Sequence, residues 1–71
     1  MSKQLYYSVL PRALTIRQVA AYWGVSSNTF RKMVRDGTVP GPLKIPGLGR
    51  LLFDREQQDR AMDAARRTET A

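Results

Sequence analysis

The chain has 71 residues, 42% hydrophobic, 8% aromatic and 25% charged, which suits one small globular domain and excludes by length a dinucleotide-binding sheet or a (β/α)8 barrel. It contains no cysteine and no histidine, so a Cys/His zinc site, a disulfide, a cysteine nucleophile and serine hydrolysis through a histidine base are all impossible. Twelve Lys and Arg against six Asp and Glu give a formal net charge of +6 and a pI of about 10.6, a balance that favours a polyanionic partner.

That charge is unevenly distributed. Residues 1–50 hold eight basic side chains (Lys3, Arg12, Arg17, Arg31, Lys32, Arg35, Lys44, Arg50) and one acid, Asp36, a local balance of +7; residues 51–71 hold four basic and five acidic residues, a balance of −1. The partner-facing surface is therefore expected within the first fifty residues. No apolar run approaches the roughly 20 residues needed to span a bilayer, and the start lacks the apolar stretch of a signal peptide. A cytoplasmic protein with no membrane contact is expected.

Residues 1–13 read as an N-terminal arm, a basic tip followed by an extended stretch in which Tyr6, Tyr7, Val9 and Leu10 supply apolar material before Pro11. A mobile arm is the competing reading. The first helix is predicted over about 16–23. Thr15 and Gln18 have the spacing of a capping box, and Leu14 and Val19 that of a hydrophobic staple. Ile16, Val19, Ala20 and Trp23 form its apolar face, and Gly24 supplies a left-handed exit. Ser26 then caps a second helix over about 27–36, in which Phe30, Met33 and Val34 repeat at helical spacing. Its opposite stripe is Ser27, Asn28, Arg31, Lys32 and Arg35. Two short helices joined by about three residues form a helix-turn-helix, in which Trp23 and Phe30 read as core rather than as stacking platforms.

Past Gly37, Pro40 and Pro42 forbid a helix. Partial period-two alternation on either side of Pro46-Gly47-Leu48-Gly49-Arg50 predicts a β-hairpin wing over 43–53 with Gly49 at positive φ. Ile45 and either Leu51 or Phe53 should lean on the helices. Asp54, with Gln57 three residues on, caps a last helix over about 55–67. Its apolar stripe is thin (Ala61, Met62, Ala65), its interleaved Arg, Asp and Glu read as a solvated, ion-paired face, and residues 68–71 read as a disordered tail.

This layout, mainly α with a small β-hairpin, is physically a module that reads double-stranded DNA. A helix of about ten residues spans roughly 15 Å and fits the major groove, where each base pair presents its own donor and acceptor pattern. Asn28, Lys32 and Arg35 lie on one stripe; Asn28 suits adenine, and Arg31 or Lys32 suits guanine. Ser26 and Ser27 at the helix start, and Arg17 on the first helix, suit phosphate. Lys44 and Arg50 flank the wing turn and suit a backbone or the minor groove. No catalytic pair, cofactor, metal or small-molecule substrate is expected, and the chain does not read as an enzyme.

The run from Leu14 to Gly37, LTIRQVAAYWGVSSNTFRKMVRDG, resembles the helix-turn-helix of the small excisionases and of AlpA-like phage regulators, and more distantly the start of MerR-type proteins. Pro40, Lys44 to Phe53 and Asp54 to Met62 follow in the family's order of Pro-containing loop, wing and short helix. The resemblance implies a winged helix-turn-helix fold of the MerR and excisionase type and a DNA architectural factor of a bacterial mobile element or prophage, a recombination directionality factor. Such a factor binds tandem sites beside an attachment site, assembles cooperatively, bends the DNA and biases a tyrosine-type integrase toward excision. It further implies that Ser27, Asn28, Arg31 and Lys32 occupy the recognition positions and Arg50 the basic wing position, in a nucleoid-associated protein. The chain departs from the pattern at Gln57, Gln58 and Asp59, where relatives often carry a larger apolar contact, and its Tyr6-Tyr7 start has no counterpart.

Two other readings stay open. An AlpA-like transcriptional regulator fits the same module. A small basic RNA-binding protein would need basic residues on several faces. A MerR-type regulator would require a dimerising coiled coil, which does not fit after residue 53.

Overall fold

The computed structural model describes the backbone of residues 11–70 and the side chains of residues 11–66. The arm before residue 11, with Tyr6 and Tyr7, lies outside the described residues, as does Ala71. In chain order the elements are β1 (Ala13–Leu14), α1 (Ile16–Trp23), α2 (Ser27–Arg35), a long loop, β2 (Phe53–Asp54) and α3 (Arg55–Thr70). The two strands pair antiparallel, Ala13 opposite Asp54 and Leu14 opposite Phe53. Three helices and a two-stranded antiparallel sheet make a small, mostly helical domain of winged-helix-like topology.

The helix ends follow from local chemistry. At α1 both halves of the capping box form: the Gln18 N–H donates to Thr15 Oγ1 at 3.2 Å and the Thr15 N–H to Gln18 Oε1 at 2.9 Å. Gly24 leaves the helix at φ +76°, and the Val25 N–H folds back onto Ala20 O at 2.9 Å, a Schellman-type exit that a side chain at Gly24 would strain. The three-residue turn delivers Ser26, whose Oγ accepts the Thr29 N–H at 3.1 Å and starts α2. α2 closes in the same way as α1, with Gly37 at φ +79° and the Thr38 N–H on Met33 O.

The core is one cluster of Leu14, Val19, Ala20, Phe30, Val39 and Phe53. Leu14 and Val19 are both buried, so the predicted staple sits at the centre of the fold. Phe30 of α2 meets Phe53 of β2 edge to face, with centroids 5.3 Å apart at 87°, a geometry worth about 0.5–1.5 kcal/mol beyond area burial. These two rings fasten the chain after the wing to the second helix.

Four expectations are corrected. The segment 43–53 is not a regular hairpin: the strands of the sheet lie at 13–14 and 53–54, and the wing is an irregular loop held at its base by the Leu43 N–H on Leu52 O at 2.7 Å. Pro46 within it and Pro42 just before it have no N–H to donate to a ladder, and β2 takes its partner from the chain before α1. The positive φ falls on Gly47, at +80°, and not on Gly49, because the turn closes from Ile45 O to the Leu48 N–H. Of the residues expected to lean on the helices, Phe53 is buried, whereas Ile45 and Leu51 are exposed. Finally, α3 runs to Thr70, so residues 68–70 of the expected tail are helical.

The polar side of α3 is also not simply solvated. Gln58 is 0% exposed. Its Oε1 accepts the Trp23 Nε1–H at 2.9 Å, and its Nε2–H donates to Pro40 O at 3.3 Å. At the adjacent position on each helix, the Tyr22 O–H donates to Asp59 Oδ1 at 2.6 Å. The larger apolar contact expected at this point is replaced by hydrogen bonds that tie α3 to α1 and to the loop.

Candidate nucleic-acid interface

α2 carries the predicted polar stripe on its open side. Asn28, Arg31, Lys32 and Arg35 are all exposed, while Phe30 on the reverse face is fully buried. The stripe is exposed because the Phe30, Met33 and Val34 face packs on the core cluster and fixes the rotation of the helix. Within the stripe, Arg31 Nη1–H donates to Asn28 Oδ1 at 3.4 Å, and Lys32 Nζ pairs with Asp36 Oδ2 at 3.2 Å. Asp36 therefore engages Lys32. An exposed i,i+4 pair is worth about 0.3–0.5 kcal/mol, little enough for Lys32 to exchange it for a stronger acceptor.

The two serines differ. Ser26 Oγ accepts the Thr29 N–H and donates to Thr29 Oγ1 at 3.0 Å, so its hydroxyl is engaged by the cap. Ser27, the first helical residue, is half-buried beside it.

Three of the predicted basic residues converge although they come from separate elements. Arg17 of α1, Arg31 of α2 and Arg50 of the wing line one surface cleft of about 400 Å³, together with Thr15, Ile16 and Leu51. A smaller apolar hollow of about 170 Å³ adjoins it and shares Ile16, Arg31 and Leu51. No carboxylate lines the cleft. The arginines elsewhere are placed differently: Arg12 bridges Asp54 at 2.9 Å and Glu56 at 3.1 Å, and Arg60 lies 4.0 Å from Glu56. Lys44 and Arg35 are exposed but do not line the cleft.

Asp54, Glu56 and Asp59 are engaged by partners away from the α2 stripe: Arg12 meets Asp54 and Glu56, and Tyr22 meets Asp59. The guanidinium of Arg12, by hydrogen bond first and charge second, holds the Asp54 carboxyl below its ordinary value. The hydrogen bond to Asp59 raises the Tyr22 phenol above its ordinary value, helped by partial desolvation. These pairs fasten α3 and the β1–β2 junction and leave the α2 stripe without acids of its own beyond Asp36. Sequence reasoning missed Gln58, Asp59 and Tyr22 as a linked group, because no local pattern marks a polar residue whose partners lie 18 to 37 positions away.

Comparison with protein-family models, with curated proteins and with solved structures gives no significant match to this chain. Among the described residues, no helix is long and apolar enough to cross a membrane, and no group of three or more acidic side chains is placed to hold a metal ion.

Proposed function

We propose that this protein is a sequence-specific double-stranded DNA-binding architectural factor that inserts α2 in the major groove. The observation that supports this reading is the carboxylate-free cleft in which one arginine from each of α1, α2 and the wing comes together. Basic residues grouped on one face supply the salt-dependent attraction to phosphates. Asn28, Lys32 and Arg35 supply hydrogen-bonding groups that distinguish bases. Arg17 and Arg50, together in the cleft beside α2, set register against the backbone. The same grouping disfavours a general RNA-binding role, which needs basic groups on several faces.

Within that reading the winged module resembles the excisionases, and the role proposed is that of a recombination directionality factor. Copies bind adjacent sites near an attachment junction, bend the DNA, and bias a partner tyrosine-type integrase toward excision. A single module of this size covers few base pairs, so specificity comes from cooperative binding of two or more copies.

The test is enrichment of fragmented host genomic DNA by the purified protein, followed by sequencing of the retained fragments. Tandem sites beside an integrase gene are expected. A single retained site over a promoter away from any junction would assign an AlpA-like regulator instead. Preferential retention of single-stranded nucleic acid would overturn the duplex reading altogether.

A further inference from the structure

We infer that the cleft between α1, α2 and the wing is a phosphoryl-binding site in which Arg17, Arg31 and Arg50 grip one phosphate together. Where that phosphate belongs to a DNA backbone, the inference deepens the duplex-binding reading and rests on it. The grip itself does not.

The argument starts from charge. Three arginines from three separate elements line one cleft of about 400 Å³ with no acid among the lining residues. Among the described residues none of the three makes an ion pair, and the one side-chain bond to any of them is the 3.4 Å contact of Arg31 to neutral Asn28. Gathering like charges without a counter-charge is unfavourable unless an anion completes the set. Guanidinium forks match the oxygens of phosphate, and several can share one. Thr15, the N-cap of α1, also lines the cleft, and the first turn of α1 carries no acid to compete for the site.

The apolar lining narrows the ligand further. Ile16 and Leu51 form part of the wall, and Leu51 is 52% exposed although its neighbour Phe53 is buried. An apolar wall beside the arginines suits a phosphate that carries an organic group, such as the deoxyribose of a nucleotide, which would cover Leu51. The assignment also changes the role of Arg31. It acts as an anchor rather than a base reader, leaving base recognition to Asn28, Lys32 and Arg35.

The variant R17Q/R31Q/R50Q keeps much of each apolar stem while removing the charges, and all three positions are exposed. In the first experiment, the intact chain is titrated with inorganic pyrophosphate and followed by amide and guanidinium NMR shifts. Saturable shifts are expected at Thr15–Arg17, Arg31 and Arg50–Leu51, and are lost in the variant. Shifts of equal size at Arg35 and Lys44, or none that saturate, would overturn the site.

In the second experiment, the salt dependence of duplex DNA binding is compared for the two proteins. Each neutralised phosphate contributes about 0.9 to the slope of log K against log salt. One shared phosphate predicts that the variant loses about one unit of slope, whereas a loss of about three would show three separate contacts and overturn the shared grip. An unchanged slope, with pyrophosphate binding abolished, would make a free phosphorylated molecule the source. Absence of any duplex binding by the unmodified protein would sink the DNA reading, while the pyrophosphate titration would still decide the site.

Discussion

Gln58 has three jobs at once: it is buried, it holds the indole of Trp23, and it holds the carbonyl of Pro40. Removing one partner of a buried hydrogen bond costs the desolvation of the group left behind, about 1–3 kcal/mol. Gln58→Ala strands both the Trp23 N–H and the Pro40 carbonyl and opens a void. We expect it to lower stability by about 2–4 kcal/mol, read by urea unfolding through the emission of the single tryptophan. Loss of less than about 0.5 kcal/mol, the scale of a surface change, would show that the link is dispensable. No sequence pattern advertised this residue: between Gln57 and Asp59 it reads as surface, and only α1 and the Pro40 loop make it interior.

Arg12 and Asp54 provide a second case at this scale, with a pH signature. The folded-state pKa of Asp54 lies below its ordinary value, chiefly because Arg12 donates to it. A carboxylate of that kind contributes stability above its unfolded pKa, and the contribution is lost as pH falls through the folded value. The melting temperature of the unmodified protein should therefore exceed that of Arg12→Gln near neutral pH. The gap should close as the solution is taken below pH 3.8, the ordinary aspartate value. A gap independent of pH would show that Arg12 acts through its packing alone.

Among the elements, the two helices of the helix-turn-helix were the most legible. Capping box, staple, left-handed Gly24 and the Ser26 cap are all local signals, and each forms as the sequence predicts. The wing was legible only as a non-helical, turn-containing segment. Its alternation is short, and what it pairs with is decided elsewhere: β2 finds β1 some forty residues away. That competition leaves Leu48 at 43% and Leu51 at 52% exposure while Phe53 is buried. Phe53→Ala should cost about 3–5 kcal/mol, whereas Leu48→Ser should change stability by less than about 0.5 kcal/mol. Chemical denaturation of the two variants checks this contrast. A large loss from Leu48→Ser would place the wing tip in the core.

For the whole molecule, the distribution of charge is the feature that sequence and fold express alike. Of the eight Lys and Arg before residue 51, Arg12 is paired with Asp54 and Glu56, while Arg17, Arg31 and Arg50 meet at one cleft between α1, α2 and the wing. The convergence of those three residues was not legible, since it depends on where an irregular loop returns to the domain. The candidate base-reading positions were legible, because helical periodicity alone separates Asn28, Lys32 and Arg35 from Phe30, Met33 and Val34. The surface ion pair between Lys32 and Asp36 is too weak to hold Lys32 away from a base edge.

The most direct test of the account replaces Lys32 with alanine and compares affinity for the enriched duplex with affinity for an unrelated duplex at the same salt concentration. A base contact predicts a loss of about 1–3 kcal/mol on the specific site, roughly tenfold to a hundredfold, with a much smaller loss on unrelated DNA. Equal losses on both duplexes would make Lys32 a backbone contact, and no preference for the enriched duplex in the unmodified protein would contradict sequence-specific reading by α2.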